Sequence, residues 1–542
     1  MPESGLVTGP PDFIGVGTQR SGTTWMQRLL RDHPRIHLPR DQRKEQHFFD
    51  WFGKTEMTDA DVARYHEQFP RPPGDIAGDW TPRYMRDIWT PRLIPRAAPD
   101  ARILVIFRDP VERYRSGVLH TLSRRGGRAA TYLATDAVER GRYALQLKRV
   151  YDYFDRSQVL ILQFERGLAE PLEQYHRTLE FIGLPPDHVP TDLTRTRGTP
   201  QSAKKEPFWD DFKDALGTEL EGDVAELKEL VPEIDLELWP NFKHLVTGAA
   251  PVREEERPRI EVRSSQAAKG RPPDFIGVGT SDSGFGWWHR LLLQHPQIAP
   301  PVRGRSLEFF DEFCTRAMTD EDIAAYHARF ARPQGLVVGE WSPDYMYGIW
   351  SPMLLRRAAP DAKLLVMLID PVARFRMMIA DSWRRRSANE RTHNRAAETD
   401  FLSNSVPRGR YVSQLEGLYR HFPRDQVLVL QYERCVKDPA GEYARALRFL
   451  GVDESFQPER FHDGPVQRLR RKLGLARRRL TQGRRPERPE RPERPEHRKQ
   501  PELWPDIEVP LLAELEPDVR ALRDLVPDLD LSLWPGFANL ER

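Results

Sequence analysis

Residues 11–25 read PDFIGVGTQRSGTTW, and residues 273–287 read PDFIGVGTSDSGFGW. A short apolar run ending in a glycine loop occurs twice, so the chain has to fold as two copies of one unit. The likeness runs through both halves. HFFDWF at 47–52 returns as EFFDEF at 308–313, and GDWTPRYMRDIWTP at 78–91 returns as GEWSPDYMYGIWSP at 339–352. RAAPDARILVIFRDPVERYR at 96–115 returns as RAAPDAKLLVMLIDPVARFR at 357–376, and GRYALQL at 141–147 as GRYVSQL at 409–415. VPEIDLELWPNF at 231–242 returns as VPDLDLSLWPGF at 526–537. The spacing between copies is far longer than any solenoid repeat, so whole domains are duplicated.

A chain of 542 residues is too long for one core and suits two or three domains. The repeats divide it into a first domain at 1–243, a charged linker without apolar periodicity at 244–271, and a second domain at 272–542. The second domain carries an insertion at about 466–500, a basic stretch followed by four RPE triplets. Repeated proline and alternating charge predict an extended, solvated segment there. Within the first domain DFIGVG, ARILVIF (101–107) and VLILQFE (159–165) read as buried strands. Amphipathic helices follow them at TTWMQRLLRDHP, VERYRSGVLHTL and PLEQYHRTLEFIGL. Alternation of this kind predicts an α/β fold with a mainly parallel, P-loop-type sheet flanked by helices, built as two tandem copies. Ligands in such folds bind at the carboxyl ends of the strands, where the distinctive loops here converge.

The formal net charge is +2, so no global field recruits nucleic acid or a membrane surface. No stretch approaches the roughly 20 apolar residues of a membrane span, and MPESGLVTGPPDF lacks the features of a signal peptide. The two cysteines, Cys314 and Cys435, make no disulfide framework and no zinc quartet. The expectation is a cytoplasmic protein without metal, nucleic-acid partner or stable membrane insertion.

Gly17 to Gly22 has the G-x-x-x-x-G spacing of a phosphate-cradling loop. Its glycines let backbone N–H groups converge on one anion, and the next helix offers its positive end. A nucleotide triphosphatase places Lys directly after the second glycine. Here that position is Thr23 and the cation comes earlier, at Arg20. The pattern suits an anion with fewer charges and no obligatory metal.

PDFIGVGTQRSGTTWM resembles the 5′-phosphosulfate loop of sulfotransferases that use 3′-phosphoadenosine 5′-phosphosulfate (PAPS). KEQHFFD resembles the segment with the catalytic carboxylate in the heparan sulfate sulfotransferase type, and VIFRDPVERYRSG resembles their 3′-phosphate motif. The resemblance implies that Arg20, Ser21, Gly22, Thr23, Thr24 and Trp25 wrap the 5′-phosphosulfate, and that Arg108 and Ser116 bind the 3′-phosphate. Arg20 stands where the family usually has Lys; it can stabilise charge on a leaving phosphate but cannot donate a proton. Arg197 and Gly198 resemble the family's loop over the nucleotide. Glu45 takes the place of the general base, with His47 orienting the acceptor or sharing that role. Asp79 and Arg83 match a segment lining the acceptor cleft, where Trp80 replaces a frequent Lys. The implied function is sulfuryl transfer from PAPS to a hydroxyl or amine on a glycan or small-molecule acceptor, with oligomeric state left open. The rival readings are a P-loop kinase acting on a small molecule and a non-catalytic nucleotide-binding scaffold.

The second copy acts as an internal control. It has Asp282 for Arg20, Phe285 for Thr23, Gly286 for Thr24, Ser306 for Glu45, Glu308 for His47, Ile369 for Arg108 and Met377 for Ser116. Its apolar scaffold persists while the anion-holding groups are gone. The expectation is an active first domain and a degenerate second one.

Overall fold

The apolar runs form strands, as their burial on both sides demands. The computed structural model describes residues 5–41, 43, 45–53, 55–125, 134–193, 209–247, 270–280, 285–302, 306–314, 316–330, 335–388, 402–458, 461 and 505–541. The first half contains β1 (Phe13–Gly17), β2 (Ile36–His37), β3 (Ile76–Trp80), β4 (Arg102–Phe107) and β5 (Val159–Gln163). The second contains β6 (Phe275–Gly279), β7 (Ile298–Ala299), β8 (Val337–Trp341), β9 (Lys363–Leu368) and β10 (Val427–Gln431). Each set makes one sheet, ordered β2-β3-β1-β4-β5 and β7-β8-β6-β9-β10, and all named pairs are parallel. In both sheets the chain leaves the first strand on one side and returns on the other, which creates the crevice where α/β folds bind ligands.

Side chains alternate cleanly across each strand. On the first sheet Phe13, Leu104, Ile106, Leu160 and Leu162 face an outer core that includes Trp25, Met26, Leu29 and Tyr175. Ile14, Val16, Ile103, Val105, Phe107 and Ile161 face the other way. That second core does not end at the domain boundary. Ile276, Val278, Leu364, Val366 and Leu368 of the second sheet belong to the same continuous cluster. Phe212 and Trp350, one from each half, meet with ring centroids 5.8 Å apart. The two halves therefore share one apolar core.

Polar contacts across this boundary come in corresponding places. Ser403 of the second half bonds to Arg83 and Asp87 of the first. From the first half, Asp136 accepts from Tyr347 and Asn404, and Glu139 pairs with Arg410. Arg149 reaches Glu514 with two bonds of 2.8 Å. Aligning GRYALQL with GRYVSQL makes Asp136 the counterpart of Asn404. Each half thus lends the same segment to the other, the arrangement of a two-fold dimer interface built within one chain.

Three features differ from the sequence reading. The expected strand at 159–165 stops at Gln163, and Phe164–Ala169 is helical. The Gln163 side chain ties to both backbone groups of Asp235, and Glu165 turns inward to accept from the Asp109 N–H and the Trp239 indole. Strands β2 and β3 were not anticipated; β2 is only two residues, and GDW in β3 carries a glycine and a carboxylate. The residues from 244, read as linker, begin with a helical turn at His244–Thr247. The RPE insertion, Arg197 and Gly198 lie outside the described residues.

A shared core predicts one cooperative unit. Trp350→Ala should cost about 3–5 kcal/mol, as for buried Trp truncations generally. It should lower hydrogen-exchange protection in β4 together with β9. Unchanged protection throughout the first half would refute the shared core.

Candidate functional site

The loop after β1 is shaped by packing as well as by its glycines. Gly22 is left-handed (φ 87°), and a Cβ there would collide with the Phe164 ring. It caps the helix Thr23–Asp32, whose first turn has no side-chain cap and no acidic residue. The first-turn N–H groups and the helix dipole are thus left to favour an anion. Ser21 and Thr18 are tied together by their hydroxyls at 2.6 Å, and Thr18 is anchored to the carbonyl of Ile106 on β4. The Trp25 indole donates to the carbonyl of Leu193, so Trp25 supports the loop from inside the core. Thr23 is buried and Thr24 exposed.

Arg20, Arg108 and Ser116 converge on this loop. The Arg20 guanidinium donates to the Ser116 hydroxyl at 3.1 Å. Arg108 donates to the Arg20 carbonyl at 3.3 Å and lies over the Phe164 ring. The Arg108 backbone is fixed by Tyr143, whose hydroxyl donates to its carbonyl. Asp109 does not neutralise it: that carboxylate is buried and accepts from the Val111 and Asn241 N–H groups. Among the described residues Arg108 forms no ion pair. Arg20 and Ser116, expected at opposite ends of the donor, are direct neighbours here, because the helix Pro110–Arg125 brings Ser116 back beneath the loop.

A second group of side chains lies at the end of β3. His47 Nδ1 is 2.8 Å from the Asp50 carboxylate, and Nε2 is 3.3 Å from Glu45. Burial pulls the His47 pKa down, but hydrogen bonds to Asp50 and Glu45, and their charges, outweigh it and raise it to about 10. The imidazole is therefore a cation at neutral pH, leaving Glu45 as the group able to take a proton. Asp50 was not singled out from sequence; its signal was the i, i+3 spacing from His47 in HFFD.

Asp79 and Arg83 do not line a cleft. Asp79 is 0% exposed and accepts from the Tyr65, Tyr84 and Thr81 hydroxyls. Burial raises its pKa to about 6 against those hydrogen bonds. Thr81 and Tyr84 in turn accept from the backbone N–H groups of Gln46, His47 and Phe48. Asp79 thus holds the backbone of the Glu45–His47 segment from behind. Arg83 is 2% exposed and lies between Asp50 and Asp87, 3.4 and 2.9 Å away. The expectation of acceptor contact fails for both because their charges are already satisfied inside. Trp80 packs flat on Gly15, where any side chain would clash, so its position faces the core.

The second half keeps this scaffold with different side chains, Ser306 and Glu308, at the places of Glu45 and His47. Glu340 accepts from Tyr326 and Ser342, and Ser342 accepts from the N–H groups of Leu307 and Glu308. Glu308 shares the left-handed backbone of His47, with φ of 47° against 54°. Ile369 is buried in an apolar cluster with Trp287, and Met377 packs against that cluster.

A family model described as "Sulfotransferase domain" matches residues 10–209 and 272–473. Human heparan sulfate glucosamine 3-O-sulfotransferase 6 is 31% identical over 217 residues, covering 36% of this chain and 60% of that protein. Human heparan sulfate glucosamine 3-O-sulfotransferase 3B1 is 30% identical, over 36% of this chain and 52% of its own length. The chain thus spans little more than half the length of the curated relatives it matches. A sulfotransferase crystal structure from Alicyclobacillus acidocaldarius is 26% identical, covering 42% of this chain and 98% of its own, with a TM-score of 0.34.

The His47 geometry makes a linkage prediction. A histidine pKa raised on folding contributes stability that is fully present below its ordinary value of 6.5 and is lost as pH rises through about 10. Wild type should lose stability relative to His47→Gln across that window, read as urea midpoints at both ends. Parallel stability curves for the two proteins would contradict the assignment.

Proposed function

The chain belongs to the sulfotransferase family, and from that premise we propose that its first half transfers a sulfuryl group from PAPS to a hydroxyl of a glycan acceptor. The observation that carries the reading is one convergence. Arg20, Arg108 and Ser116 gather at the glycine loop, a carboxylate–imidazole pair stands at the end of the neighbouring strand, and the second half has replaced all five. The curated relatives are named for sulfating glucosamine in heparan sulfate, which supports a glycan hydroxyl as acceptor class.

A sulfonucleotide donor supplies an electrophilic sulfur and a phosphate leaving group. The first-turn N–H groups at Thr23 and Thr24 and the Arg20 guanidinium fit the charged sulfate end. Arg108, stacked on Phe164 with its guanidinium not neutralised by Asp109, fits the separate 3′-phosphate together with Ser116. Glu45 takes the acceptor's proton as the acceptor oxygen bonds to sulfur. The sulfur–oxygen bond to the leaving phosphate breaks with its electron pair, and Arg20 offsets the charge that grows there. His47, cationic and clamped by Asp50, keeps Glu45 aimed. The second half, with Ile369 and Met377 in apolar packing, serves no donor in this scheme.

Two substitutions in the full-length protein test the division of labour. Arg108→Ala should weaken calorimetric binding of adenosine 3′,5′-bisphosphate, a loss of about tenfold or more for a charge-assisted contact. Glu45→Gln should leave that binding intact and lower turnover by about a hundredfold or more. Full turnover of labelled PAPS by Glu45→Gln would remove Glu45 as the base. Transfer of label from ATP instead of PAPS would favour a kinase.

A further inference from the structure

The second half reaches the first half's Glu45–His47 segment through a continuous series of hydrogen bonds and ion pairs. Ser403 is 6% exposed and belongs to the helical residues 402–405. Its hydroxyl donates to Asp87 and accepts from Arg83 Nη2 at 2.9 Å. Arg83 Nε donates to Asp87 at 2.9 Å and lies 3.4 Å from Asp50 Oδ2. The same Asp50 oxygen holds His47 Nδ1 at 2.8 Å, and His47 Nε2 faces Glu45. Asp50, Arg83, Asp87 and Ser403 are all buried, so water does not replace a missing partner cheaply.

We infer that Ser403 is a positioning residue for the first half's chemistry, and that the degenerate half is retained as a structural part of the active site. The inference rests on the sulfotransferase reading and deepens it. Arg83 is shared by Asp50 and Asp87; without the Ser403 contact its guanidinium would be drawn onto Asp87 alone. The Ser403 hydroxyl accepts from one Arg83 nitrogen and occupies the second Asp87 oxygen. It thereby selects the shared pose and leaves Asp50 oriented toward His47.

The pseudo-two-fold arrangement argues that this contact belongs to the first site specifically. At the corresponding place in the second half Asp344 replaces Arg83 and Gly348 replaces Asp87. There Asp344 pairs with Arg408, from its own half. The reciprocal segment of the first half supplies Asp136 to Tyr347, Asn404 and Arg408, and Arg408 in turn pairs with Asp344, so the bridge there ends on a carboxylate at the place of Arg83. The charged groups facing His47 are Glu45 and Asp50, with Asp79 and Arg83 behind them.

The test uses full-length protein. Ser403→Ala should lower kcat about tenfold to a hundredfold, the scale of a small misplacement of catalytic groups. Its affinity for adenosine 3′,5′-bisphosphate should stay within about twofold of wild type, since the donor loop is elsewhere. Ser403→Thr, which keeps the hydroxyl, should recover most of the rate. Ser403→Cys, close in size but a far weaker hydrogen-bond donor, should behave like Ala and covers the case in which Ala does not fold. Asn404→Ala, which loses only its Asp136 contact, should keep wild-type kcat. Wild-type kcat in Ser403→Ala, or equal loss in Ser403→Thr, overturns the inference. The His47 imidazole NMR signal separates this outcome from failure of the functional reading. A signal that moves in Ser403→Ala supports the coupling even if no sulfuryl transfer is found, whereas an unmoved signal overturns it.

Discussion

A parallel sheet has to be covered on both faces, and the inner face of each sheet here is packed by helices whose apolar residues run into one cluster shared by both halves. The inner residues of β1 and β4 and those of β6 and β9 join one apolar cluster. Removing the second half would expose the part of that cluster where the halves meet, as at Phe212 against Trp350. The constraint explains why the duplicated half keeps its apolar pattern after its anion-binding groups are gone. Core positions are held by packing in which both halves participate, whereas Arg108 and Glu45 lie outside that core.

The scaffold behind the reacting segment separates architecture from activity in the same way. Asp79 and Glu340 play one role: a buried carboxylate accepts hydroxyl bonds, and those hydroxyls hold the backbone of the loop in front. His47 and Glu308 are both held in a left-handed conformation that is costly for residues other than glycine. Because the half without the charged set has it too, this strain belongs to the fold and not to catalysis. Two halves can thus share one backbone and differ in the side chains placed on it.

Within the first half, charges running from the surface into the core are arranged in alternating sign. Glu45, His47, Asp50, Arg83 and Asp87 form a line in which each ion has an opposite neighbour within 3.4 Å. Burying such a series costs desolvation that mutual attraction only partly offsets, so its worth lies in fixing geometry more than in adding stability. A fixed geometry is what proton removal from an acceptor needs, since a misaimed carboxylate loses rate even when its charge is unchanged.

The sequence by itself determined the duplication, the α/β class and the strands β1, β4 and most of β5, and it singled out Arg20, Arg108, Ser116, Glu45 and His47 as candidates. Those features depend on local patterns: apolar runs, a glycine spacing, and short motifs whose residues act where they stand. It also showed, by loss at matched positions, which half carries the charged set. Only the tertiary structure decided that Asp79 and Arg83 point inward, because their partners Tyr65, Tyr84, Asp50 and Asp87 lie on other elements and leave no periodic trace. It alone revealed Asp50 as the clamp on His47, the contact between Arg20 and Ser116, and the reach of Ser403 across more than 300 residues of chain to Arg83. Long-range pairing is decided by how the two halves pack together, and no window of sequence contains both sides of that contact.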